Sequence, residues 1–494
     1  MTLLKKTRLP ILACFCLSGA LGWSVAQAQW STDPAANLII SDIAGGNTQP
    51  KMVPAPDGGF FVAWFDNIGA GFDVHLQRLD AGGNELWPHN GILVADRGYS
   101  FTYDYGLAAD TAGNAYVTFN CCANGGPGEH IAVNKVLGNG SLAWGTDGID
   151  VSTATESVYN AYVTVASDGN IVVAWSSDGG VRAQKLDADG AILWAADGVL
   201  LDQPAGVKLL GGVQPGANGD AVVSWSNQSG STRILRAQKL ASADGAPAWG
   251  GGSAVRVFGQ GNLQAGYYPP FLADGSGGGV FWDYDFSGGS FTARVQHLDA
   301  GGNPLLDPNG VVGTTDTTQD HTDTSAIFDA ASGSIYLVWR DNFTLNQQTY
   351  DGVSAQRIDT TGARTWGDTG KVLVVPANST DGSQSISQMV ALRSPVGFLA
   401  SWVTGAIPRV DQPVSVAALD ATGNFAWPSQ TVDIKTLRYT GRNVGAVSTN
   451  GFAAYAWQDG DDGAGTSTIR AQNINFDGTL GVSDVIFRDG FDGP

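Results

Sequence analysis

Fourteen of the chain's fifteen tryptophans fall into two series, each recurring about once per 50 to 60 residues, and a period of that size builds stacked repeats. One series is Trp64, Trp175, Trp225, Trp282, Trp339, Trp402 and Trp457, with Phe119 in its one gap. The other is Trp30, Trp87, Trp144, Trp194, Trp249, Trp366 and Trp427, with Leu306 in its gap. Eight copies of one supersecondary unit follow, and only Trp23 stands outside them.

The first copy shows the grammar. Phe60-Phe-Val-Ala-Trp64 and Val74-His-Leu-Gln-Arg-Leu79 flank a variable loop; an Asp80-Ala-Gly-Gly-Asn84 turn leads to Trp87 and Gly91-Ile-Leu-Val-Ala95. Short runs rich in Val, Ile, Phe and Trp between Asp/Gly/Asn turns read as antiparallel strands joined by hairpins. Four such strands per period with no helix predict a propeller blade, because a lone four-stranded sheet cannot bury both faces until neighbours stack on it. The fold class is therefore all-β, an eight-bladed β-propeller over residues 29–484. The last copy, Phe452 to Leu480, reads as three strands and lacks a final one, whereas Asn37 to Ser41 carries the missing strand at the other end of the chain. Pairing that N-terminal strand into the last blade closes the ring and leaves no long unpaired edge. The repeated tryptophans are packing residues on this reading, each wedged between sheets with its indole N–H given to a neighbouring carbonyl.

Lys5, Lys6 and Arg8 precede an apolar run that ends at Ala26-Gln27-Ala28, the three-part pattern of a cleaved signal peptide over residues 1–28. The expected location is exported: periplasmic, cell-surface or secreted, with no membrane span after cleavage, since no later stretch approaches the ~20 apolar residues a spanning helix needs. The leader carries three positive charges and no acid, so its loss takes the net charge from −20 to −23. Such a chain repels phosphate backbones and anionic membranes, which excludes nucleic acid as an expected partner. A monomer is expected. The tail 485–494 lies outside the repeat.

Ala418-Leu-Asp420-Ala-Thr-Gly423-Asn-Phe-Ala-Trp427, with related turns ending at Trp87, Trp194 and Trp366, resembles the tryptophan-docking motif of the pyrroloquinoline quinone dehydrogenase superfamily, whose members are eight-bladed propellers. Asp and Trp are seven positions apart here and one further apart in that family. The resemblance implies the architecture, and it implies as an alternative function a quinoprotein-like oxidoreductase holding pyrroloquinoline quinone and calcium. The family's calcium-binding set and its base Asp do not align onto this chain. Units of this kind also look like the repeats of secreted bacterial propellers of unassigned role.

After leader removal Cys121 and Cys122 are the only cysteines. In an exported protein such a pair is expected to oxidise. Adjacent Cα atoms are only ~3.8 Å apart across a trans peptide, below the usual disulfide range, so the ring would be strained. It would serve as a structural clamp on a Gly-rich loop or as a platform at a binding site; by the family resemblance it would be a lid over a quinone.

Ligands are expected on the face made by the loops between second and third strands and between blades, where the repeat varies most. Three segments there carry aromatics beside carboxylates, a composition suited to the C–H faces and hydroxyls of a sugar: Tyr99 to Tyr105 with Tyr103, then Tyr267 and Tyr268, then Asp283, Tyr284 and Asp285. Sealing the gaps between blades is the competing role for these rings. Glu129 with His130 is a candidate acid/base couple. Asp320, His321 and Asp323 form one weak metal candidate, and Asp459, Asp461 and Asp462 form another that would suit calcium. No resident cofactor is expected. The expected function is binding or scaffolding, with an extracellular glycan or protein as partner and without catalysis; a polysaccharide lyase or hydrolase working through loop carboxylates is a second alternative.

Overall fold

The computed structural model describes residues 29–68, 71–97, 103–121, 129–152, 156–201, 206–286, 288–380, 384–405, 412–436, 444–449, 451–461 and 466–482. Among them the chain forms eight four-stranded antiparallel sheets, and apart from the single turns Ala217–Gly219 and Gly250–Gly252 it forms no helix. Seven sheets are contiguous in sequence. Blade 1, for example, runs through Thr48–Pro54, Phe60–Asp66, Asp73–Leu79 and Ile92–Ala95 in that spatial order. The second strands Phe60–Asp66, Ala115–Cys121, Ile171–Ser177 and Gly279–Asp285 are buried along their whole length. That burial requires sheet packed on both faces, and it explains why these strands are continuous apolar runs instead of alternating ones.

Blade 8 is assembled from both ends of the described chain. Gly445–Ser448, Phe452–Asp461 and Thr466–Asn475 supply three strands, and Leu38–Ser41 pairs antiparallel with the last of them, Leu38 opposite Ala471 and Ile39 opposite Arg470. The N-terminal closure expected from the repeat is present. Phe452 to Leu480 therefore holds two strands and not the three read from the sequence; the remaining one, Gly445–Ser448, precedes Phe452 and escapes the sequence reading because it is short and lacks an aromatic that would mark it. Asn37 fastens the junction, donating to the Ile434 carbonyl at 2.9 Å and to Gln472 Oε1 at 3.1 Å. Ile40 is fully buried in the cluster that joins blades 8 and 1.

The two tryptophan series occupy two kinds of place. Trp64, Trp175, Trp225, Trp339 and Trp457 are completely enclosed in second strands, and here the expected indole bond to a carbonyl is not made: Trp339 donates to the Asp341 carboxylate at 2.7 Å, and the other four indole N–H groups meet no protein acceptor among the described residues. Trp30, Trp87, Trp194, Trp249, Trp366 and Trp427 each donate the indole N–H to a carbonyl in the third-to-fourth-strand turn of the next blade, at 2.9 to 3.2 Å. Each ring also covers a glycine of that turn. Gly478, with φ +87, has Trp427 so close that a Cβ would meet its ring at 2.9 Å. A left-handed turn residue and a flat aromatic lid both need the missing side chain. Where Leu306 replaces the tryptophan, Gly362 faces Leu306 and Val311 instead.

Candidate functional site

The first strand of each blade is innermost, so these strands enclose an axial channel. Thr48–Pro54 runs along it from one mouth to the other. Antiparallel connectivity puts the interblade and second-to-third loops at the mouth where Thr48 lies, and the tight hairpins, including Asp57–Gly59, at the mouth beyond Pro54. Three connected spaces fill the axis: 840 Å³ at the loop-face mouth, 420 Å³ at mid-channel and 980 Å³ at the hairpin face. Lys51, Asp104, Tyr162 and Tyr268 border both the first and the second space. Gln214, Pro270 and Phe271 border both the second and the third.

The loop-face mouth is built on irregular backbone. Five innermost strands break register there, at Gln49 and Pro50, Asn160, Gly211, Asp323 and Thr324, and Gln388 and Met389. Four of these positions hold non-glycine residues in the left-handed region, with φ of 53° at Gln49, 51° at Asn160, 50° at Asp323 and 56° at Gln388. Such backbone costs ~1–3 kcal/mol per residue and persists where the surroundings over-determine it, often at ligand sites. The bulges turn polar side chains toward the mouth at positions where regular pleating would alternate them away. Two also tie blades together: Asn160 Oδ1 accepts from the Asp104 N–H at 3.1 Å, and Gln388 Oε1 accepts from the Val444 N–H at 2.9 Å.

Tyr103, Tyr159, Tyr162 and Tyr268 supply the aromatic surface of this mouth. Tyr103 and Tyr159 have ring centroids 6.1 Å apart, and Tyr268 is 38% exposed. Between them lies an ion pair, Lys51 Nζ to Asp104 Oδ1 at 2.6 Å. Lys51 also donates to the Tyr105 carbonyl at 2.6 Å and lies 5.0 Å from the Tyr105 and Tyr162 ring centres. Tyr162 donates its hydroxyl to Asp104 Oδ2 at 2.6 Å. Burial works to raise the Asp104 pKa, but the Lys51 charge, hydrogen bonds from Lys51 and Tyr162, and the Tyr105 N–H outweigh it and hold the carboxyl below its ordinary range. Burial and the adjacent Asp104 charge push the Tyr162 hydroxyl well above its ordinary value, so it remains a proton donor at neutral pH.

The residues singled out in the sequence are divided among several places. Tyr103 and Tyr268 line the mouth. Tyr105 is fully buried, its hydroxyl within reach of the Gln49 and Ala63 carbonyls at 2.7 and 2.8 Å, and so seals blade 1 against blade 2. Tyr267 stacks on Tyr284 at 4.1 Å and shares a hydrogen bond with Thr324 Oγ1 at 3.2 Å. Burial raises the pKa of both phenols, that of Tyr284 to about 12. Asp283 is fully buried and takes Arg294 on both oxygens, at 2.7 and 2.9 Å. Asp285 accepts from the Asn262 N–H. His130 faces Asp150, Nε2 to Oδ1 3.0 Å, and Glu129 precedes it. Cys121 ends the second strand of blade 2; Cys122 lies outside the described residues, and so does the bond expected between them. Tyr99 also lies outside them.

The metal candidates have other partners. Asp320 accepts from the Phe291 N–H at 2.8 Å, His321 contacts Asp341 at 2.8 Å, and Asp323 pairs with Arg340 at 3.1 Å, so the three side chains diverge. Asp459 Oδ2 is 2.7 Å from Arg470 Nε. Of its companions, the Asp461 side chain and Asp462 lie outside the described residues. Among the described residues no cluster of three or more His, Cys, Asp or Glu is arranged to hold a metal ion, and no helix is long and apolar enough to cross a membrane.

No protein-family model matches the chain, and no curated protein matches it. Solved structures similar to it include the polysaccharide lyase Uly1, at 10% identity and a TM-score of 0.44 over 91% of this chain and 100% of the other. The Dos1 propeller is similar at 14% identity and a TM-score of 0.46, over 89% and 95%. A pyrroloquinoline quinone-bound aldose sugar dehydrogenase from Streptomyces coelicolor is similar at 13% identity and a TM-score of 0.32, over 65% and 95%. At such identities likeness is a matter of propeller form and does not extend to chemistry.

Proposed function

We propose that the protein is an exported, monomeric propeller that binds a carbohydrate in the loop-face mouth of its axial channel. One observation carries the reading. Four tyrosines from the segments leading into blades 2 and 5 and from the innermost strand of blade 3 converge on a concave space of 840 Å³, beside amide side chains held on strained bulges. The volume falls within the ~300–1,000 Å³ typical of small-ligand pockets. Aromatic faces stack on the C–H faces of a pyranose, while phenol and amide groups give the directional hydrogen bonds that distinguish one sugar from another. Packing alone accounts for the enclosed tryptophans but requires neither the exposed ring of Tyr268 nor left-handed Gln and Asn at an open mouth.

A glycan array probed with the purified protein tests the reading. Saturable binding that falls when Tyr103 and Tyr268 are changed to Ala, with no shortening of the bound polymer on prolonged incubation, is the expected result. Binding that both variants retain in full places the site elsewhere and removes the proposal. Chain shortening would turn the protein into a lyase or hydrolase.

A further inference from the structure

Resting on that reading, we infer that the glycan bound at the loop-face mouth is a neutral one, with no carboxylate or sulfate on the sugar units that enter the channel. Among the described residues lining this mouth the charged side chains are Lys51 and Asp104. They neutralise each other at 2.6 Å, and Lys51 spends a further hydrogen on the Tyr105 carbonyl. Recognition of a uronate or sulfate needs a cation able to form charge-assisted hydrogen bonds to the anion. Here an anionic sugar would have to compete with Asp104 for Lys51 and would meet the Asp104 charge at close range. The wider field has the same sign, since the chain carries a net charge of −20, and like-charge juxtaposition slows association and costs affinity.

The remaining lining matches hydroxyl groups. Asn160 Oδ1 accepts from the Asp104 N–H, which directs its amide N–H groups away from that bond as donors. Amides and phenols fixed by neighbouring blades recognise uncharged hydroxyls at low ordering cost.

Calorimetric titration with neutral oligosaccharides (malto-, cello-, laminari- and manno-tetraose) and with tetragalacturonate tests the inference. The expected result is that at least one neutral tetraose binds, with an affinity unchanged between about 0.05 and 0.5 M salt, and that tetragalacturonate does not. Tetragalacturonate binding that weakens with salt, in the absence of neutral binding, overturns the inference and leaves the carbohydrate reading standing. Binding by none of the sugars overturns both. Asp104→Asn supplies a second arm, because it keeps the shape and leaves Lys51 without its carboxylate. A folded Asp104→Asn protein is expected to gain salt-sensitive tetragalacturonate binding by about tenfold or more, and one that gains none contradicts the exclusion by pairing. The wild-type comparison stands whether or not that variant folds.

Discussion

Lys51 Nζ lies 2.6 Å from Asp104 Oδ1, joining the innermost strand of blade 1 to the segment that leads into blade 2. The pair lines the wall where the loop-face mouth meets the mid-channel space, half-exposed on the Asp104 side. It organises Tyr162 and the Tyr105 carbonyl around one point, and so couples the shape of the site to the seam between blades.

Asp104→Asn should lower stability at pH 7, modestly, because exposure screens the pair; about 1 kcal/mol or less is expected. The folded carboxyl titrates below its ordinary value of 3.8. Its contribution is therefore complete above that value and is lost as pH falls through the depressed folded pKa. Thermal melts of wild type and variant should differ at pH 7 and converge in strong acid; a constant gap would show that charge is not the cause.

Trp427→Ala should cost ~3–5 kcal/mol, since it removes a buried ring together with its hydrogen bond to the Phe476 carbonyl. Gly478→Ala should cost ~1–3 kcal/mol through the positive φ and the contact with the ring. The two act on one interface, so the double variant should lose less than the sum of the singles. Denaturant midpoints measure all three.

Ile40→Asp places a charge in the closed seam of blade 8 and should cost about 4 kcal/mol or more. Protease cleavage should appear first in blades 8 and 1. Leu193→Asp, at a position 42% exposed, serves as the control and should leave melting and cleavage unchanged.

His321→Gln tests a buried charge. Burial lowers the affinity of this ring for a proton, but hydrogen bonding and attraction from Asp341, with help from Asp316, prevail and raise its pKa above 6.5. A raised folded pKa gives stability that is complete below 6.5 and is lost as pH rises through the folded value. The melting gap between wild type and variant should therefore narrow as pH rises from 6 into the alkaline range; a gap that widens would contradict the assignment.

The propeller was legible because its determinants repeat. Trp64 and Trp87 recur with their surroundings around the ring, and Asn37 to Ser41 is recognisable as the strand that the last copy lacks. The site was only partly legible, because Lys51, Asp104, Asn160 and Gln388 meet only when the ring closes, and no local pattern links them. Two signals were nevertheless present. Pro50 sits inside a strand, and Asn160 interrupts Val158-Tyr-Asn-Ala-Tyr-Val; each marks a bulge. Tyr267 and Tyr268 were inseparable by composition, yet Tyr267 stacks on Tyr284 in the wall and Tyr268 lines the mouth. Asp283 reads in sequence as a free carboxylate, but hairpin register puts Arg294 directly across from it.

The central claim concerns place: a sugar among Tyr103, Tyr159, Tyr162 and Tyr268. A crystal structure of the protein with the tightest-binding oligosaccharide tests it most directly. The account predicts a pyranose ring at the loop-face mouth, stacked on at least one of these tyrosines and hydrogen-bonded to Asn160 or Gln388. A sugar bound at the hairpin-face mouth, or on the outer rim of the blades with this mouth empty, would contradict it.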